Sequence, residues 1–156
     1  MSLNSFTAGH NISAGDLVYV SASGLIYQAC SQSLDSGRTV GIALDAASVG
    51  QLARVNTDFI YPQASGMTPG EFRYLSPVTS GAHVNYTTWD DEAATVTGPV
   101  YLTKIGQAAT ETKLEVEIEK PLFFNNIRAY LLLESSTSPA EYFLTETGSI
   151  IQLETV

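Results

Sequence analysis

A chain of 156 residues, 44% hydrophobic and only 15% charged, can bury roughly 68–70% of its unfolded surface as one domain, which excludes an intrinsically disordered protein. Sixteen acidic against seven basic side chains leave a formal charge of −9 with no Lys/Arg cluster, so binding to a phosphate backbone is not expected. The lone Cys30 excludes an internal disulfide, fits folding in a reducing compartment, and is expected to be a small buried apolar residue.

The first residues, Met-Ser-Leu-Asn-Ser-Phe-Thr, have neither a basic start nor an apolar run, so no signal peptide is expected. Nor does any apolar run reach the ~20 residues that cross a bilayer, so no membrane partner is expected. Residues 1–11 read as an arm or first edge strand. Ile12-Ser-Ala-Gly-Asp-Leu-Val-Tyr-Val-Ser21 reads as a glycine turn feeding a strand. Around Ser23-Gly24 this strand is expected to pair with 25–29 as a hairpin. A polar loop over 31–37 leads to a strand at 39–44. Residues 45–50 are expected to hold one helical turn capped by Asp45, before a strand at 51–56. Phe59-Ile60-Tyr61 reads as the close of this unit.

The same order of chemical types then returns. Met67-Thr-Pro-Gly-Glu-Phe-Arg-Tyr-Leu-Ser76 repeats apolar, hydroxyl, small or Pro, Gly, carboxylate, apolar, any residue, Tyr, apolar, Ser. Thr39-Val40-Gly41-Ile42-Ala43-Leu44 is answered by Lys104-Ile105-Gly106-Gln107-Ala108-Ala109. The first pair of segments lies 55 positions apart and the second 65, which places about ten extra residues in the later unit. They fit the insertion at 88–96, which reads as polar loop. Two pseudo-repeated β-units, 12–61 and 67–121, follow as the organising expectation.

The second unit offers strands near 72–76, 82–86, 100–103, 105–109 and 113–118. In the last, Leu114, Val116 and Ile118 alternate with Glu115, Glu117 and Glu119, giving one buried and one wet, acidic face. Pro121 ends it. No long stretch combines helical periodicity with caps. The fold class is therefore all-β, with the two units forming a sandwich or barrel-like core over 1–124. Residues 125–156 read as a C-terminal β-hairpin extension, from Tyr142-Phe-Leu-Thr through a Gly148 turn to Ile150-Ile-Gln-Leu.

Catalytic and metal-ligating patterns are scarce. His10 and His83 stand alone, no Cys/His set has ligand spacing, and no nucleophile elbow, P-loop or dinucleotide fingerprint occurs. No catalytic residue, metal or cofactor is expected. Asp90-Asp91-Glu92 offers carboxylates to a hard cation but reads better as a solvated loop tip. Trp89 beside it is either an interface anchor or packed back over its own unit. Asn11-Ile12-Ser13 and Asn85-Tyr86-Thr87 match the glycosylation sequon, which carries little weight without a secretion signal.

The order Ile12-Ser-Ala-Gly-Asp-Leu-Val-Tyr-Val20, then Val40-Gly-Ile-Ala-Leu-Asp-Ala-Ala-Ser-Val-Gly50, then Phe59-Ile60-Tyr61, resembles tailed-bacteriophage capsid decoration (cement) proteins. Pro69-Gly-Glu-Phe-Arg-Tyr-Leu-Ser76 through Ile105-Gly-Gln-Ala and Leu114-Glu-Val-Glu-Ile118 is similar to a related module of phage head and fibre proteins. The resemblance covers about residues 8–121. It implies a small β-rich viral structural protein, made in the host cytoplasm, that joins the virion on the outer capsid surface. The partners it implies are the major capsid protein and two further copies of itself in a homotrimer, and it transfers no catalytic residues. A head- or tail-fibre component is the second reading. A carbohydrate-binding adhesin, stacking sugars on some of the eight Tyr and the one Trp, is the third. Apolar residues beyond the two-unit core, Ile127, Tyr130, Leu132, Tyr142, Phe143, Ile150 and Ile151, join Trp89 as expected interface residues.

Overall fold

A computed structural model describes residues 3–62, 64–124, 142–144 and 150–152. The chain divides into two compact units, Met1–Asn126 and Ile127–Val156. The fold is all-β, built of antiparallel sheets.

The first sheet takes β1 (Leu3–Thr7), β2 (Leu17–Val20), β3 (Ile26–Gln28), β4 (Thr39–Ala43) and β5 (Leu52–Asn56) in the order β1-β5-β4-β2-β3. The second takes β6 (Ile60–Tyr61), β7 (Phe72–Leu75) and β8 (His83–Val84) together with β10 (Lys104–Thr110) and β11 (Lys113–Val116). Its order, β6-β11-β10-β7-β8, is that of the first sheet strand for strand.

The register repeats as well. Leu17 faces Ile42 and Val18 faces Gly41, as Phe72 faces Gln107 and Arg73 faces Gly106. Both ladders then slip by one residue, at Val40 and at Ile105, so each unit has a β-bulge in the same place and bends there. The turns feeding β2 and β7 also coincide. Gly15 and Gly70 hold φ of +94° and +87°, a region open to glycine at no steric cost. Their N–H groups donate to Ala43 and Ala108 O, each at 2.7 Å. At Gly41 and Gly106 the demand is space, because a Cβ would collide with the carbonyl oxygens of Asn56 and Glu115 respectively.

The register moves one expected boundary. Phe59-Ile60-Tyr61 does not close the first unit, because Ile60 and Tyr61 pair with Glu115 and Leu114 and open the second sheet. β6 there takes the place that β1 takes in the first sheet, where Leu3 and Asn4 face Asn56 and Val55. Nor is there a helical turn at 45–50. The Asp45 carboxylate is held by Arg54 through two 2.7 Å bonds, and Ala47 bridges Ile12. The loop over 31–37 instead carries a short helix, α1 (Leu34–Gly37), with Ser33 Oγ accepting from Ser36 N.

The insertion also departs from the sequence reading. It folds as helix α2 (Tyr86–Ala93), capped by Asn85, whose side chain accepts from Thr88 N at 2.8 Å. One apolar stripe, Trp89 and Ala93 at i and i+4, turns inward. Eight residues with so narrow a stripe resemble a polar loop in sequence. After α2 come β9 (Val100–Leu102) and β12 (Leu122–Phe124), which form a separate two-stranded ribbon. Two more strands, β13 (Tyr142–Leu144) and β14 (Ile150–Gln152), pair as a hairpin.

Three apolar clusters hold the first unit together. One fills the inner face of the first sheet with Val18, Ile26, Ala43, Ala53 and Val55. The second joins Leu75, Ile105, Ala108 and Leu114 of the second sheet to Leu17, Ala29 and Ile42 of the first. Alternation along β2 makes this possible, since Leu17 and Val18 point to opposite faces. Trp89, Ala93 and Val100 form the third, with Tyr74, Leu102 and Phe124 against them. Backbone bonds also tie the sheets, as where Leu17 N donates to Gly81 O and Gly81 N to Ala29 O, both at 2.8 Å.

Candidate interaction surface

One cluster of buried polar groups is engaged within the second sheet. Arg73, almost wholly buried on β7, donates from Nε to His83 Nδ1 at 3.1 Å and from Nη2 to the His83 carbonyl at 3.2 Å. Its Nη1 lies 2.7 Å from Glu71 Oε1. An Nδ1 that accepts must carry a lone pair, so His83 is the neutral Nε2–H tautomer. Burial, and then the Arg73 charge, push its pKa down to about 4. This imidazole is occupied as a hydrogen-bond acceptor within the fold. His10 stacks on Tyr27 with ring centroids 5.3 Å apart, and its Nε2 lies 3.2 Å from Gln28 Oε1.

The acidic trio sits on α2, not on a loop tip. Glu92 accepts from Ser76 Oγ at 2.5 Å, and that hydroxyl also receives Thr79 N at 2.9 Å. Among the described residues no group of three His, Cys, Asp or Glu side chains is placed to hold a metal ion. Cys30 is half-buried, not fully buried, with Sγ 3.6 Å from the Pro77 carbonyl. It lies just past β3, where the chain turns toward α1 and leaves the sheet interior.

Trp89 is fully buried. Its indole meets the Phe124 ring edge-on at 5.0 Å and stacks beside Tyr86 at 6.3 Å. Of its two sequence readings, packing back over its own unit is the one the geometry describes. The other expected interface residues fall elsewhere. Ile127, Tyr130 and Leu132 lie outside the described residues. Tyr142, Phe143, Ile150 and Ile151 lie on β13 and β14, of which only the backbone pairing is described.

Exposed apolar side chains gather on the β9–β12 ribbon, which sequence reasoning did not single out. Leu122 and Phe123 are each 62% exposed, although they are adjacent in one strand and point to opposite faces. Phe123 pairs with Tyr101, ring centroids 5.5 Å apart, and Leu122 pairs with Leu102. Only Phe124, the third residue of β12, is drawn in, by Trp89. Beside the ribbon an open cleft of about 580 Å³ is lined by Leu34 and Arg38 from the α1 segment and by Ile118, Glu119, Lys120 and Pro121. The run Leu-Phe-Phe after Pro121 was the available signal, but a three-residue strand is too short for periodicity to reveal.

A second, smaller exposure comprises Phe72 on β7 and Tyr86 at the start of α2. Phe72 and Tyr86 are 46% and 48% exposed, and Lys104 Nζ sits 5.0 Å from the Phe72 ring centroid. Lys104 also reaches Glu119 at 2.7 Å and Glu117 at 3.3 Å. Among the described residues no helix is long and apolar enough to cross a membrane.

The sequence matches no family model and no curated protein.

Proposed function

We propose that this chain is a viral structural protein, a decoration protein that binds the outer surface of a tailed-phage capsid through the major capsid protein and assembles as a homotrimer. The observation that carries the reading is the repeated register. Gly15, Gly41, Gly70 and Gly106, which carry the resemblance to decoration proteins, are the residues both units require for their turns and bulged ladders. Surface chemistry supports it: a formal charge of −9 suits a face turned away from packaged DNA. Apolar side chains left open at Leu122 and Phe123 suit a protein completed by neighbours. The reading is non-catalytic, and the engagement of both histidines and of Arg73 within the fold is consistent with it.

Co-sedimentation with capsids assembled from the major capsid protein of the same genome tests it. Saturable binding at a fixed ratio to the lattice, with three protomer masses by light scattering, is the expected result. A stable monomer that leaves capsids bare would refute it. Phe72 and Tyr86, side chains that can stack on sugars, favour a carbohydrate-binding module as the second reading. A defined ligand on a glycan array without capsid binding would establish that reading instead.

A further inference from the structure

We propose that the cleft between α1 and the segment after β11 binds a carboxylate side chain presented by an acidic peptide of a partner protein. The inference goes beyond the assembly reading, since the cleft requires neither a trimer nor a capsid.

The cleft lies where the two repeated units differ. Thr39 faces Tyr19 in the first sheet and Lys104 faces Tyr74 in the second, so the two residues hold the same place in the repeat. In the second unit the lysine occupies that place, and its amine reaches Glu119 at 2.7 Å and Glu117 at 3.3 Å. Threonine is too short to do the same, and its hydroxyl is buried with no hydrogen-bond partner among the described residues. Thr39 and its neighbour Val40 line an open cleft of about 580 Å³, a size that holds small ligands.

The chain is strongly acidic, yet this cleft is not. Its charged lining consists of Arg38, Lys120 and Glu119. Glu119 is already bound by Lys104. Arg38 lies 4.0 Å from Asp35 with both side chains mostly exposed, a pair worth little in water. Lys120 has no ion pair among the described residues, whereas Arg54 and Arg73 are each held by a carboxylate at 2.7 Å. Two cations without a committed counter-charge therefore border one concavity. Clefts lined by one sign of charge draw in the opposite sign, and a guanidinium fork matches a carboxylate through two N–H bonds.

The remaining walls choose among anions. Leu34, Val40, Ile118 and Pro121 are apolar. An aliphatic stem ending in a carboxylate, as in glutamate, fits apolar walls with cations beside them. A sugar acid would gain most from an aromatic platform, and no aromatic residue lines the cleft. A polyanion such as nucleic acid would meet the rest of a chain whose formal charge is −9.

The test is an NMR titration of the isotope-labelled full-length protein with the peptide acetyl-Leu-Glu-Leu-amide. Saturable shifts centred on the amides of Arg38, Thr39, Val40, Ile118 and Lys120 are the expected result. The neutral peptide acetyl-Leu-Gln-Leu-amide is expected to bind at least about tenfold more weakly, the loss that follows from one charge-assisted contact. Arg38→Ala combined with Lys120→Ala, at two exposed positions, is expected to weaken the glutamate peptide by at least the same factor. Comparing the two peptides on the unmodified chain needs no variant to fold. Equal affinity for both peptides, shifts centred elsewhere, or binding unchanged in the double variant would overturn the proposal. So would tighter binding of glucuronate or inorganic phosphate than of the glutamate peptide, because the ligand would then be a sugar acid or a simple anion.

Discussion

Arg73 stands in the second unit where Val18 stands in the first: each faces the bulge-side glycine of the neighbouring strand, Gly106 for one and Gly41 for the other. The residues opposite follow suit, since Val20 faces Ile26 in one unit and Leu75 faces His83 in the other. A wholly apolar pair, Val18 and Ile26, has thus been exchanged for a hydrogen-bonded Arg73–His83 pair within the same backbone. Replacing a buried polar cluster by matched apolar residues is often neutral or stabilising, whereas removing one member strands the other. Arg73→Val combined with His83→Ile is therefore expected to keep the fold, with stability unchanged or raised by roughly 1–4 kcal/mol. Glu71, left without Arg73, remains near enough to the surface to be hydrated. Arg73→Ala alone should cost about 3–5 kcal/mol. Chemical denaturation of the two variants distinguishes them.

The same cluster sets an acid limit. His83 is neutral in the fold with its pKa down near 4, while an unfolded histidine titrates near 6.5. Between these values the unfolded chain binds more protons than the folded one, so stability rises with pH across the window. The full contribution is present above about pH 6.5 and is lost progressively as pH falls through 4, for a total near 3 kcal/mol. Denaturation midpoints between pH 3.5 and 7.5 check this slope, and the Val/Ile double variant should flatten it. A His83 ring titrating near 6.5 by NMR would contradict the buried, accepting geometry.

Glycines separate two kinds of constraint. Gly70→Ala meets nothing within 4 Å, so its cost is that of the positive φ alone, about 1–2 kcal/mol. Gly106→Ala drives a methyl group into the Glu115 carbonyl in an ordinary strand conformation, and Gly41→Ala does the same at Asn56. Since backbone must move, each is expected to cost at least the roughly 1–3 kcal/mol typical of overpacking. Similar melting-temperature losses at positions 41 and 106 would follow from the shared register. A large loss at one with none at the other would mean that the two bulged ladders are not equivalent.

Trp89 is the only tryptophan, so its fluorescence reports α2 alone. Because it is fully buried against Phe124, emission should be that of an apolar site and should not shift on dilution. Trp89→Ala is expected to cost about 3–5 kcal/mol, the usual penalty for emptying a large core site. An emission maximum that moves toward that of exposed indole as protomers dissociate would return Trp89 to the interface.

Local chemistry was legible in the residues themselves. Gly15 and Gly70 announce their turns because positive φ is a property of one residue, and Leu114, Val116 and their glutamates announce a half-buried strand because side-chain alternation is local. The echo of ten residues at 12–21 and 67–76 already implied two pseudo-repeated units. What it could not contain was strand partnership. Ile60 follows the first sheet in the chain yet pairs with Glu115, 55 residues later, because an edge strand is placed by hydrogen-bonding groups far away in sequence. Trp89 was equally undetermined, since a tryptophan in a polar stretch can face solvent, partner or core. It is buried by Val100, Tyr74, Leu102 and Phe124 together, and the contact with Phe124 joins residues 35 positions apart. The exposed pair Leu122 and Phe123 belongs to the same category: three apolar residues are ordinary in sequence, and they become a surface only when folding leaves their strand, among the described residues, with β9 alone as neighbour.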